Sequence, residues 1–301
     1  MASTTPSTAS KKKSTTVRAP WYLRSAFTAA EHIAPGPAAK FLSEMWFRLP
    51  AGPDKRLRGE APAGSTVFEL DCLGTTLWGY DWAPDTPGDR PLVYLVHGWG
   101  GSTGDFTFIA ANLVASGFRV VAFDAPSHGN SGPGPWGDRH ANGVHLVEAM
   151  SVVYGKFGAP YAVVGHSMGC LSAVHGLLMN DVELKGVRLA MLAPFIGGKE
   201  GFRDTIGAIV PVGPRIMDRL APLGEAKAGV KLDDFSLRGL EIESPALIVH
   251  DRRDRPNPFR HGEALAAAWP NAELMATEGM GHRKILVSPA VSSRVAAFLR
   301  N

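Results

Sequence analysis

Five short apolar runs constrain this chain more than any other feature: Leu92–Val96, Val120–Phe123, Tyr161–Val164, Val187–Leu192 (interrupted only by Arg188) and Ala246–Val249. None alternates with polar residues, so each side of the backbone must meet an apolar layer, as in strands of a parallel sheet covered on both faces. Between and after the runs, stretches near 105–115, 138–155, 168–179, 259–268 and 287–300 carry helical spacing. Strands separated by helices imply right-handed crossovers and an α/β fold class, with a mostly parallel central sheet flanked by helices. Upstream, Val67–Leu70 and Thr76–Tyr80 alternate and meet near Gly74, which reads as an antiparallel opening hairpin.

Composition agrees and removes other classes. With 45% hydrophobic and 20% charged residues the 301-residue chain is too apolar for a disordered or coiled-coil protein, and 34 glycines with 23 prolines exclude long unbroken helices. A dispersed net charge of +3 gives no reason to expect nucleic acid. Cys72 and Cys170 alone supply neither a disulfide framework nor a four-ligand zinc site, which fits a reduced, cytoplasmic protein. No run reaches 18 apolar residues, so no transmembrane segment is expected. Residues 1–20 lack the apolar run of a secretory signal. They are Ser/Thr-rich with Lys11, Lys12, Lys13 and Arg18, and read as a disordered tail, an organellar transit peptide being the alternative. Residues 21–65 read as an N-terminal helical extension. Trp21, Phe27, Ile33, Phe41, Trp46 and Phe47 are spaced as on two amphipathic helices broken by Pro35-Gly36-Pro37, expected to pack on the main domain, with a homodimer or membrane-surface contact as the other uses of such stripes.

In open parallel sheets ligands bind at the carboxyl ends of the strands, so the residues after each run are informative. After Tyr161–Val164 comes Gly165-His166-Ser167-Met168-Gly169, a G-x-S-x-G turn between strand and helix that would lift the Ser167 hydroxyl to the top of the sheet; the plainer reading is a serine capping an ordinary helix. After Leu92–Val96 comes His97-Gly98-Trp99-Gly100-Gly101. Acyl transfer needs two backbone N–H donors at the oxyanion, and Trp99 and Met168 can give them, His97 bracing the loop. A serine also needs a base, and the base an orienting acceptor. Asp251 and Asp254 follow Ala246–Val249, and His282 follows the segment Ala272–Thr277 in a glycine-containing turn, giving the order Ser, Asp, His.

Over roughly residues 66–300 the chain resembles the α/β-hydrolase superfamily, through His97-Gly98-Trp99-Gly100, Phe123-Asp124-Ala125-Pro126-Ser127-His128-Gly129-Asn130-Ser131, Gly165–Gly169, Asp254 four residues past His250, and Gly281-His282. The resemblance implies an α/β-hydrolase fold with Ser167 as nucleophile, Asp254 as orienting acid, His282 as general base then acid, and the Trp99 and Met168 N–H groups as oxyanion hole. Two positions depart from the family's usual pattern, Asp251 and Ser127 each standing where it commonly has glycine. Asp251 thus competes for the acid role; Asp254 is favoured because the family's acid sits several residues beyond the strand end, which leaves Asp251 to pair on the surface with Arg252 or Arg255. The resemblance divides the chain into a core at 66–195 and 244–301 and a small helical cap at 196–243, whose apolar residues, broken by Pro211, Pro214 and Pro222, would cover the site.

Other signals carry less. Gly132–Gly137 matches G-x-G-x-x-G but holds two prolines and follows no strand; His140 and His145 do not share a helical face; Cys170 reads as a small buried residue. No cofactor or metal site is expected. The expected function is a serine hydrolase cleaving a carboxylic ester of an apolar small molecule. The alternatives are a thioesterase or lactonase, a carbon–carbon bond hydrolase and, outside enzymes, a receptor-like ligand-binding protein.

Overall fold

In a computed structural model, which describes residues 18–50, 61–83 and 90–301, every apolar run becomes a strand. The expected tail lies outside the described residues except for Arg18–Pro20. β1 (Ser65–Cys72) and β2 (Thr75–Trp82) make the opening hairpin; β3 (Leu92–Val96), β4 (Arg119–Asp124), β5 (Ala162–His166), β6 (Arg188–Leu192), β7 (Ala246–Asp251) and β8 (Ala272–Thr277) complete one eight-stranded sheet. Its order is β1-β2-β4-β3-β5-β6-β7-β8, antiparallel at β1–β2 and β2–β4 and parallel thereafter. The hairpin closes through Leu73 and Gly74, both at positive φ (57° and 74°), the two-residue turn whose twist matches the strands.

Alternate residues of the central strands feed two separate cores. Tyr94 and Val96 of β3 face one side with Leu146 and Met150 of α4 (Gly143–Phe157), Leu171 of α5 (Met168–Met179) and Leu265 of the helix Arg260–Ala268. Val93 and Leu95 face the other with Ile109 and Leu113 of α3 (Thr107–Ala115) and Val295 and Leu299 of the helix Pro289–Arg300. Each such side chain removed from water is worth about 2 kcal/mol, and this doubly covered arrangement is the reason the runs do not alternate. The helix expected from 138 begins at Gly143. Asn142 caps it, accepting the His145 N–H at 2.8 Å, while residues 139–141 spend their backbone groups elsewhere: Leu49 N–H donates to the Arg139 carbonyl (2.8 Å) and Ala141 N–H to the Phe47 carbonyl (3.0 Å).

A third core lies apart from the sheet. α1 (Trp21–Ile33) and α2 (Pro35–Trp46) pack against α6 (Gly198–Ile209) and α7 (Pro214–Ala228), joining Phe27, Ala39 and Leu42 to Phe202, Ile216 and Leu220. Pro35-Gly36-Pro37, expected as the break between the first two helices, instead opens α2, and the break falls at Ala34. The prolines of 196–243 also divide their labour. Pro211 falls between helices, Pro214 occupies the first turn of α7, and Pro222 lies inside α7 without ending it.

Glu31 of α1 joins these pairs. Its carboxylate accepts the backbone N–H groups of Gly213, Arg215 and Ile216 at 3.0, 2.8 and 3.2 Å, serving as the N-terminal cap that α7, with glycine at its own cap position, lacks. Partial burial pushes this carboxyl upward, but the three N–H donors outweigh it and hold the pKa below its usual value. Glu31→Ala is expected to lower stability to urea by about 1 kcal/mol at neutral pH. Because the folded-state pKa is depressed, the contribution is full above the unfolded carboxyl value and fades as pH falls through the folded one. The gap between wild type and variant therefore closes in acid. A gap unchanged between pH 7 and pH 3 would refute the charged-cap account.

Candidate active site

The turn after β5 is built so that Ser167 can occupy a conformation few residues tolerate. Its φ of 55° and ψ of −122° are strained for a side chain with a Cβ, at a cost of about 1–3 kcal/mol. Surrounding bonds impose it: Ser167 N–H donates to the Leu192 carbonyl at the end of β6 (3.0 Å), and its own carbonyl accepts from Cys170 and Phe195 N–H (both 3.1 Å). Gly169 lets α5 seat on β3, since any Cβ there would overlap the Val96 carbonyl oxygen, and a Cβ at Gly98 would lie 2.8 Å from that of Ser167. These two glycines bring the turns after β3 and β5 against each other. His97 ties the first of them to the end of β4, its Nε2 accepting the Ala125 N–H (3.0 Å) while Nδ1–H donates to the Gly98 carbonyl (2.8 Å).

Ser167, His282 and Asp254 form a hydrogen-bonded series. Ser167 Oγ and His282 Nε2 are 3.0 Å apart, and His282 Nδ1 is 2.8 Å from Asp254 Oδ2. Asp254 follows β7 and His282 lies in α9 (Gly281–Lys284), after β8. Burial alone would raise the Asp254 carboxyl, but donors from His250 and His282, together with the Asn257 N–H on Oδ1 (3.0 Å), bring its pKa down to about 2. Asp254 is therefore a fixed negative charge throughout the neutral range. Met168 directly follows the serine and Trp99 follows Gly98, whose backbone lies against Ser167, and among the described residues neither backbone N–H has a protein acceptor. Such a set can move a proton from a hydroxyl to an imidazole and offer two N–H groups to an oxygen gaining charge.

Asp251 is not on the surface. It is fully buried, accepts the Arg253 N–H (2.9 Å) on one oxygen and both the Thr277 hydroxyl and the Met280 N–H (2.8 Å each) on the other. The expected pairing with Arg252 or Arg255 is thus replaced by a brace inside the turn that carries His282. The reason is register: Asp251 is still in β7, opposite Thr277 of β8. Ser127, the second departure, holds the left-handed φ of 67° that glycine would take freely, and its hydroxyl bonds to the carbonyls of Gly137 and His140 and to the Gly134 N–H.

Three residues join the site unannounced. His166 Nε2–H donates to the His282 carbonyl (2.8 Å), and burial, with the neighbouring His282, holds its pKa near 4, so it stays a neutral donor. His250 Nε2–H bonds the Asn257 carbonyl (2.9 Å) and lies 3.4 Å from Asp254 Oδ2. Asn257 Nδ2 donates to the Ala193 carbonyl (2.9 Å) and lies 3.5 Å from Ser167 Oγ. Only Asn257 had a usable signal, its place three residues after Asp254, the spacing of an Asp side chain closing a turn. Cys170 is buried and its thiol pKa pushed up, which leaves it unreactive. Glu200, Asp204 and His261 have metal-ligand chemistry within 4.8 Å of one another, but Arg238 bonds Glu200 and Arg260 bonds Asp204, so cations already occupy the carboxylates.

The model of the Alpha/beta hydrolase family matches residues 93–299, more than half of the sequence. The chain belongs to this family. Its relatives include esterases. The hydrolase is 26% identical over 274 residues, 76% of this chain and 97% of the other, to a bifunctional esterase/perhydrolase of Acinetobacter calcoaceticus. It is 33% identical over 239 residues, 67% of this chain and 91% of the other, to a pimeloyl-[acyl-carrier protein] methyl ester esterase of Chromobacterium violaceum. Among solved structures it shares its fold with an esterase of Pyrococcus furiosus, at a TM-score of 0.58 and 21% identity, covering 84% of this chain and 98% of that one.

Proposed function

We propose that this hydrolase cleaves carboxylic esters of apolar small molecules through an acyl-enzyme on Ser167. The observation that carries the reading is the unbroken series Ser167–His282–Asp254, at 3.0 and 2.8 Å, placed at the carboxyl ends of the strands. His282 takes the Ser167 proton as Oγ attacks the ester carbonyl, then returns it to the leaving alcohol. Asp254 holds the imidazole with Nδ1 protonated and Nε2 free, and stabilises the cation that forms. The oxygen of the tetrahedral intermediate accepts from the Trp99 and Met168 N–H groups. A water activated by His282 releases the acid in the second half, so the cycle draws on side chains and backbone alone.

The esterase names among the relatives support this choice of bond. Helices α6 and α7, with the rest of 196–243, act as the cap, and a cavity beneath them is lined by apolar side chains, including Phe195, Phe202 and Phe235. No helix among the described residues is long and apolar enough to cross a membrane, and both cysteines are free and buried, which suits action in a reducing cytoplasm on a dissolved substrate. A panel of p-nitrophenyl esters, acyl thioesters and lactones tests the reading. Esters are expected to give the highest kcat/KM. Turnover of a thioester or lactone at tenfold the best ester would move the assignment to that class, and inactivity towards the whole panel would overturn it.

A further inference from the structure

The family match begins at residue 93, so α1 and α2 stand outside the part of the chain shared with the family. They are nevertheless not a peripheral decoration. The cavity that Met168 helps to line has Trp46 and Phe47, at the end of α2, in its wall, together with Phe202 of α6 and Gly224 of α7. Trp46 meets the Phe202 ring edge-on at 4.6 Å, and Phe47 meets Trp136 at 5.1 Å with the Lys227 ammonium 5.2 Å above its ring. This end of α2 is fixed in place: the Phe47 carbonyl accepts the Ala141 N–H, and Lys227 pairs with Glu44 at 2.8 Å.

We propose that the N-terminal extension is part of the substrate site, with Trp46 closing a slot for a short apolar acyl group. The assignment rests on the acyl-enzyme reading above. In that reading the leaving alcohol must lie where His282 can protonate it, on the β7–β8 side. Met168, the residue after the serine, instead lines the slot together with residues of α4 and α6, so the slot receives the acyl part. Its volume is about 50 Å³, room for roughly four waters and hence a chain of about four carbons. The walls that set this limit come from the core, the cap and the extension together. Gly224 leaves space that a side chain would fill, since the nearest atom to a Cβ there is Phe202 Cζ at 3.7 Å, an ordinary contact.

The test uses the full chain and p-nitrophenyl acetate, butyrate and octanoate, with wild type, Trp46→Ala and Gly224→Leu. Wild type is expected to prefer butyrate over octanoate. Trp46→Ala removes the end wall and should shift the octanoate-to-butyrate ratio of kcat/KM upward by about tenfold or more, the scale on which apolar pockets discriminate chain length. Gly224→Leu adds four carbons to a slot of about that size and should lower the butyrate-to-acetate ratio by a similar factor. The second variant carries the test by itself if the first fails to fold. Identical chain-length profiles in the folded proteins, with hydrolysis still lost in Ser167→Ala, would overturn the slot and leave the serine reading intact. Hydrolysis that survives Ser167→Ala is instead the failure of the serine reading.

Discussion

Ser167→Ala is expected to reduce kcat for the best ester by about 10⁵- to 10⁶-fold, to the level left by the oxyanion donors and binding alone. Stoichiometric labelling of wild type by a serine-directed phosphonate should vanish with it. The substitution removes one oxygen and keeps the Cβ, so the backbone stays in the same strained region, and the bonds that impose it run through the main chain of Leu192, Cys170 and Phe195. Nor does the hydroxyl cap α5, because Ser167 makes no side-chain capping bond. Stability should therefore be nearly unchanged and the loss purely chemical. Undiminished turnover, or phosphonate labelling that persists in the variant, would remove Ser167 from the mechanism.

The second large effect separates two carboxylates. Asp254→Asn is expected to lower kcat by about 10⁴-fold, because an amide NH₂ facing His282 Nδ1 favours the opposite tautomer and takes away the free Nε2 that Ser167 needs. Asp251→Asn should behave differently. Its carboxylate touches neither Ser167 nor His282 but accepts three bonds within the turn from β7 to α9, one of whose N–H donors an amide in its place would leave unmet. About 2 kcal/mol of stability should go, with kcat changing by less than tenfold at a temperature where the variant is folded. Steady-state kinetics and urea melts on the two variants decide the matter. Were Asp251→Asn the inactive one, the acid would have to be reassigned.

The two aspartates also mark a boundary of what a sequence can say. The strands were legible because a doubly buried strand needs consecutive apolar residues, and the Ser167 turn because its geometry needs glycine at position 169. Asp251 and Asp254, three residues apart after one strand, differ only in direction. One ends the strand and is held by its ladder partner Thr277, while the other has left it and turns towards His282. That choice depends on the register of β8, which carries no continuous apolar run of its own. The supports from His166 and His250 were hidden for a related reason, since each acts on a group more than a hundred residues away or on a main-chain oxygen without sequence identity. The early start expected for α4 had the same origin, backbone groups at 139–141 being committed to a distant segment.

The Glu31 cap has a consequence in time as well as in space. The carboxylate and the first N–H it accepts are 182 residues apart in sequence. At about 5–20 residues per second, synthesis needs roughly ten to forty seconds to travel from one to the other. Throughout that interval the faces of Phe27 and Leu42 have been made and their partners in α6 and α7 have not. Helices α1 and α2 thus leave the ribosome long before the partners that bury them, and during that interval their apolar faces are open to a chaperone.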